Sequence, residues 1–167
     1  MRDLARSAIK AVIAAAALLW PSTLSAGELP VNVGFYSGVA NHGYDVVAYW
    51  TEGKAVPGDE AFSLEHQGVP WYFASAANRD LFAADPDKYR PEYNGHCAYA
   101  MAQGELSDVD PVAWQIHDGK LYLNYDNKVQ RLWAGKIEEH IRLGDSFWPE
   151  KFEWAPWPPP GGGVVFI

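Results

Sequence analysis

A single cysteine, Cys97, occurs in the whole sequence, which rules out a disulfide within the chain. Basic residues are scarce too: 13 Lys and Arg stand against 21 Asp and Glu, for a formal net charge of −8. Sequence-independent affinity for nucleic acid comes from lysines and arginines that displace counterions, so this balance argues against a nucleic-acid partner. Long apolar runs are also missing. The longest, "AVIAAAALLW" at 11–20, is too short to span a bilayer comfortably. No phosphate loop, zincin motif or nucleophile elbow is present, and no internal repeat is read.

What is present is apolar and aromatic. Hydrophobic residues make up 49% of the chain, enough for a globular core and the opposite of a disordered composition. Residues 1–26 stand apart. Arg2, Arg6 and Lys10, then the apolar run, then "PSTLSA" before Gly27 follow the order of a secretory signal peptide. The expectation is an exported protein, periplasmic or secreted, cut near Ala26. That leader holds three basic residues and one acidic one, so its loss leaves the remainder more acidic still. At the other end, "FEWAPWPPPGGGVVFI" has Pro and Gly too dense for helix or sheet and reads as an extended tail over 150–167.

Between them, two hairpins can be written down with their register. In "FSLEHQGVPWYF" a Gln67-Gly68 turn sets His66 opposite Val69, Leu64 opposite Trp71 and Phe62 opposite Phe73. In "AWQIHDGKLYLN" the Asp118-Gly119 turn sets Ile116 opposite Leu121 and Trp114 opposite Leu123, with Gln115, His117, Lys120 and Tyr122 on the other face. Both come out half-buried, as strands of one small antiparallel sheet with one covered face. Helices cover it. Ser75 caps "AANRDLFAA", Asp85 and Pro86 open a short turn carrying Tyr89, and Val129, Leu132, Trp133, Ile137 and Ile141 mark a long C-terminal helix stopped at Gly144. The fold class is α+β.

The phrases "GYDVVAYW", "WYFASAANRDLFAADPDKY", "NGHCAYAMAQG" and "WQIHDGKLYLNY" together resemble the YHS domain family, and its exported bacterial members most of all. The resemblance covers 43–149, with 27–42 as a lead-in, and implies a compact α+β domain. It also implies a link to metals, because other YHS domains accompany heavy-metal transporters and carry cysteines read as ligands. Three of those thiol positions are Ala48, Ala74 and Asn78 here, and none of the three binds a soft cation.

That leaves Cys97 with His96 and Met101 as the candidate metal ligands, for Cu(I) before Zn(II). A helix over 96–103 brings Cys97 and Met101 within about 6 Å, and a strand holds them about 13 Å apart. The alternation Cys97, Tyr99, Met101 against Ala98 and Ala100 favours the strand. In a strand the partners must come from His42, His66, His96 or His117. Two other readings stay open: a buried apolar cysteine and a reactive thiol. A further reading needs no metal. Tyr36, Tyr44, Tyr49, Trp50, Tyr93 and Tyr99 fall in or beside loops and suit a surface for a small molecule or an envelope protein. His140 reads as a solvated or half-buried helix position, and Asp45, Asp85 and Asp110 read as turn caps. No nucleophile is seen assembled with a base, so the sequence points to a binding module more than to an enzyme.

Overall fold

The computed structural model describes residues 31–34 and 37–148. The expected leader over 1–26, Tyr36 and the expected tail over 150–167 lie outside the described residues. The order is α1 (Ala48–Thr51), β1 (Asp59–His66), β2 (Val69–Phe73), α2 (Ala76–Ala84), α3 (Pro86–Tyr89), α4 (Ala98–Met101), β3 (Asp110–His117), β4 (Lys120–Asn124), α5 (Asn127–Ala134) and α6 (Ile137–Phe147). This is an α+β fold. No helix among the described residues is long and apolar enough to cross a membrane.

Both hairpins form at the turns the sequence marks. Gln67 and Gly68 have φ 53° and 74°, and Asp118 and Gly119 have φ 48° and 72°, so each turn has the two positive φ values that match the twist of its strands. Near the turns the register is as expected: His66 with Val69, Leu64 with Trp71, Ile116 with Leu121, Trp114 with Leu123. Farther out it shifts. Phe73 faces Asp59 and not Phe62, and Asn124 faces Asp110. Each shift has a local cause: the Asp59 carboxylate accepts the Ala61 N–H at 2.8 Å, and Asp110 accepts the Val112 N–H at 3.0 Å. These tight side-chain turns bulge the strand and end regular pairing.

The hairpins form two separate two-stranded sheets and not one. Nor is the second hairpin half-buried. Leu121 and Leu123 enter one apolar cluster, with Trp71, Phe73, Phe82 and Cys97, while Tyr122 enters another, with Tyr93, Met101 and Trp133, so β4 is covered on both faces. The long helix is also two: Gly135 caps α5, Lys136 is non-helical (φ −143°, ψ 50°), and α6 starts afresh at Ile137. Gly144 does not stop α6. It lies inside the helix, and only glycine fits there, since a Cβ would stand 2.6 Å from the Tyr93 hydroxyl.

The reading without an internal repeat is overturned by the structure. Strands β1 and β3, strands β2 and β4, and helices α2 and α5 each begin 51 residues apart. The correspondence reaches individual side chains. Ser75 accepts the Asn78 N–H to cap α2, and Asp126 accepts the Val129 N–H to cap α5. Trp71 packs on Phe82 with ring centroids 5.0 Å apart, and the equivalent Tyr122 packs on Trp133 at 4.9 Å. Before each half runs a left-handed turn, Asn41-His42-Gly43 and Tyr93-Asn94-Gly95, with all six φ between 49° and 81°. Residues 40–148 form a turn–helix–hairpin–helix–helix unit used twice.

Candidate functional site

The repeat puts Asp45 and Cys97 in equivalent places, each two residues after the glycine that closes its left-handed turn. Asp45 is fully buried, and its carboxylate accepts four donors: the N–H groups of Val47 (2.8 Å), Ala48 (3.3 Å) and Ala74 (2.8 Å) and the Asn78 amide (2.6 Å). A buried carboxylate is tolerated only with this degree of satisfaction. It ties α1 to the start of α2, a wider role than the turn cap read from the sequence, and α1 itself is capped at Val47 without a side-chain bond.

Cys97 fills the corresponding space in the second half. Burial pushes its thiol up, against the N–H groups of Ala100, Tyr125 and Tyr99 near the sulfur, which pull the other way. Those three residues match Ala48, Ala74 and Val47. A neutral thiol is a weak acceptor, and a neighbour supplies part of what the sulfur cannot. Asn124, fully buried at the position matching Phe73, accepts the Tyr99 N–H at 3.2 Å and lies 3.8 Å from the Cys97 sulfur. The Asn124 amide nitrogen is buried without a hydrogen-bond partner among the described residues.

The segment after Cys97 is helical and not the expected strand, with the Met101 N–H donated to the Cys97 carbonyl at 2.9 Å. One turn of helix does not bring the three candidate ligands together. Cys97 points into the first apolar cluster and Met101 into the second, and the half-buried His96 ring lies 6.3 Å from the Trp148 ring. The sequence alternation arose because a helix end between two cores must bury opposite faces. Of the aromatic candidates, Tyr49 and Tyr93 are buried, with their hydroxyls donated to the Pro111 carbonyl (2.8 Å) and the Asp145 carboxylate (3.0 Å). Burial pushes both phenols up. Trp50 meets Tyr89 edge to face, Tyr99 meets His140 in the same way, and Tyr44 is half-exposed. His140 is buried, with Nδ1 2.8 Å from the Trp133 carbonyl, and not a solvated position.

A polar cluster partly open to solvent lies where the two left-handed turns meet. His42 Nε2 is 2.7 Å from Asp108 Oδ1, and both side chains are 27% exposed. Asn32 joins the halves: its amide donates to Asp108 Oδ1 and to the Gly95 carbonyl, both at 3.0 Å, and its N–H donates to the Asn94 carbonyl at 2.8 Å. Asp108 also accepts the Val109 N–H at 2.9 Å. The His42 ring rests on Gly34, where any Cβ would stand 2.7 Å from Cε1. His42 itself holds φ 52°, a costly left-handed conformation for a residue with a side chain. Sequence reasoning reached His42 only as a partner for Cys97 and missed Asp108 and Asn32, because nothing local marks a pairing 66 residues long.

Partial burial pushes the Asp108 carboxyl up, but the His42 and Asn32 side chains and the Val109 N–H outweigh it and hold the group below its ordinary value. A depressed folded-state pKa contributes stability above the unfolded value of about 4, and that stability is lost as pH falls through the folded value. Asp108→Asn is therefore expected to cost about 1.5–3 kcal/mol near neutrality, the range for hydrogen bonds to a charged group, with the difference from the parent shrinking below pH about 4. Urea unfolding of both proteins across acid and neutral pH measures it.

No family model, curated protein or solved structure matches the chain.

Proposed function

We propose that the chain is an exported, YHS-like binding module whose ligand meets the corner between its two halves at His42 and Asp108, and that it works without a thiolate. The observation that carries this reading is the His42–Asp108–Asn32 network, with His42 and Asp108 partly exposed, Asn32 buried and the His42 backbone left-handed. Strain of this kind is retained where surrounding structure over-determines it, and it clusters at sites of function. With Nε2 held by the Asp108 carboxylate, Nδ1 is the ring nitrogen left for a ligand. Nδ1 makes no hydrogen bond among the described residues. The next residue, Gly43, lies close to the half-exposed Tyr72 ring, where an added Cβ would stand 3.6 Å from Cδ2. The ligand class these groups suggest is a small polar molecule that hydrogen-bonds Nδ1 and lays a flat face on Tyr72.

Two observations support the reading over one built on Cys97 and a soft metal. The thiol stands where the first half has a structural carboxylate, and Met101 turns to the other core. The positions that carry thiols in the metal-associated YHS domains, Ala48, Ala74 and Asn78, here donate to the one Asp45 carboxylate and offer no soft ligand. Export rests on the leader-like order of residues 1–26. NMR titration of the labelled full chain, followed at the His42 ring and at Cys97, tests the proposal against its metal-binding rival.

A further inference from the structure

We propose that the second hairpin turn carries a surface site for a first-row divalent transition ion, held by His117, Asp118 and Glu138. Among the described residues these three form the one set of His, Cys, Asp or Glu ligand atoms close enough to share an ion, all within 4.8 Å of one another. His117 Nε2 lies 2.8 Å from Glu138 Oε1 and 3.7 Å from Asp118 Oδ2. Ligands around a tetrahedral zinc stand about 3.3 Å apart, given metal–ligand distances of about 2.0–2.1 Å. One separation must widen slightly and the others close. Both carboxylates are well exposed, at 85% for Asp118 and 77% for Glu138, and can swing to do so at little cost.

The first half supplies an internal comparison. The residues equivalent to His117, Asp118 and Glu138 are His66, Gln67 and Asp87. There the histidine ring is turned into the aromatic cluster, 5.4 Å from Phe82 and 6.2 Å from Trp71, and the neighbouring carboxylate is replaced by an amide. In the second half the ring faces two carboxylates. The nearby ammonium groups are engaged with other acids, Lys120 with Glu92 and Lys136 with Glu139, both at 3.2 Å. The same acidic surroundings, Glu92, Asp118, Glu138 and Asp145, join burial in pushing the Tyr122 phenol up.

One imidazole and two carboxylates suit Zn(II), with water completing an open coordination shell. The same donors hold Cu(II) more tightly, whereas Mg(II) and Ca(II) favour all-oxygen shells and Cu(I) favours sulfur. An ion here links the β3–β4 turn to the first turn of α6.

Isothermal titration of the untagged full chain with zinc chloride, beside Co(II) absorption spectra, tests the site. Saturable one-to-one binding is expected, weakened at least about tenfold in His117→Gln and in Glu138→Gln, with Cys97→Ser and His42→Ala unchanged. Circular dichroism confirms that the variants are folded. Absence of saturable binding, or binding that His117→Gln and Glu138→Gln leave intact, would overturn the proposal.

Discussion

Asp45→Ala is expected to cost about 3–5 kcal/mol, because one substitution removes the shared acceptor of four hydrogen bonds to a charged group. Alanine leaves the N–H groups of Val47, Ala48 and Ala74 and the Asn78 amide without their acceptor, in a place from which water is excluded. Each orphaned buried donor costs about 1–3 kcal/mol, and local relaxation recovers part of the sum. Asp45→Asn should recover little, because an amide turns an NH₂ toward at least one of the four donors. Asn78→Ala, which removes a single donor, should be milder than either. Urea unfolding midpoints of the four proteins, with unchanged slopes, give the comparison. A cost for Asp45→Ala no larger than that of Asn78→Ala would mean that the carboxylate does not hold the first half together.

Phe82→Ala and Trp133→Ala are expected to cost about 3–5 kcal/mol each, the range for deleting a buried aromatic ring. Each is the sole buried residue of its helix, so each ring is the pin by which α2 or α5 is held to its hairpin. Phe82 lies against Trp71, Phe73 and His66, with centroids at 5.0, 5.2 and 5.4 Å. Trp133 lies against Tyr122 at 4.9 Å. One residue earlier, Leu81 and Leu132 are 42% and 51% exposed, and alanine there should stay within about 0.5 kcal/mol. Thermal unfolding of the four variants measures the contrast. A large loss in one half with none in the other would break the structural equivalence of the two units.

That equivalence was hidden in the sequence for a chemical reason. The paired positions keep their geometry and change their residues: Asp45 with Cys97, Ser75 with Asp126, Trp71 with Tyr122, Phe82 with Trp133. A cap needs only an oxygen and a pin needs only a ring, so identity drifts while the backbone does not. The regular sign was the spacing, two turn dipeptides at Gln67-Gly68 and Asp118-Gly119, each followed by a capping residue seven positions after its glycine. Turn chemistry was legible because φ > 0 at both central residues restricts the choice. The bulges were not, since they depend on Asp59 and Asp110 folding back on their own strands. Nor was α4, whose alternating residues enter two different cores. The His42–Asp108 corner was the least legible, because it is made by three distant segments that meet only once both left-handed turns are in place.

The central claim, a ligand corner at His42 and no metal thiolate at Cys97, is tested most directly by NMR titration of the isotopically labelled full chain. The chain receives, in separate arms, a panel of monosaccharides, amino acids and nucleosides, and anaerobic Cu(I). At least one of the small polar compounds is expected to shift the His42 ring together with the Gly43 and Tyr72 amides, an effect absent in His42→Ala, while Cu(I) leaves the Cys97 Cβ where it was. Stoichiometric Cu(I) binding that moves Cys97 and is lost in Cys97→Ser, or a His42 ring that no compound in the panel moves, would contradict it.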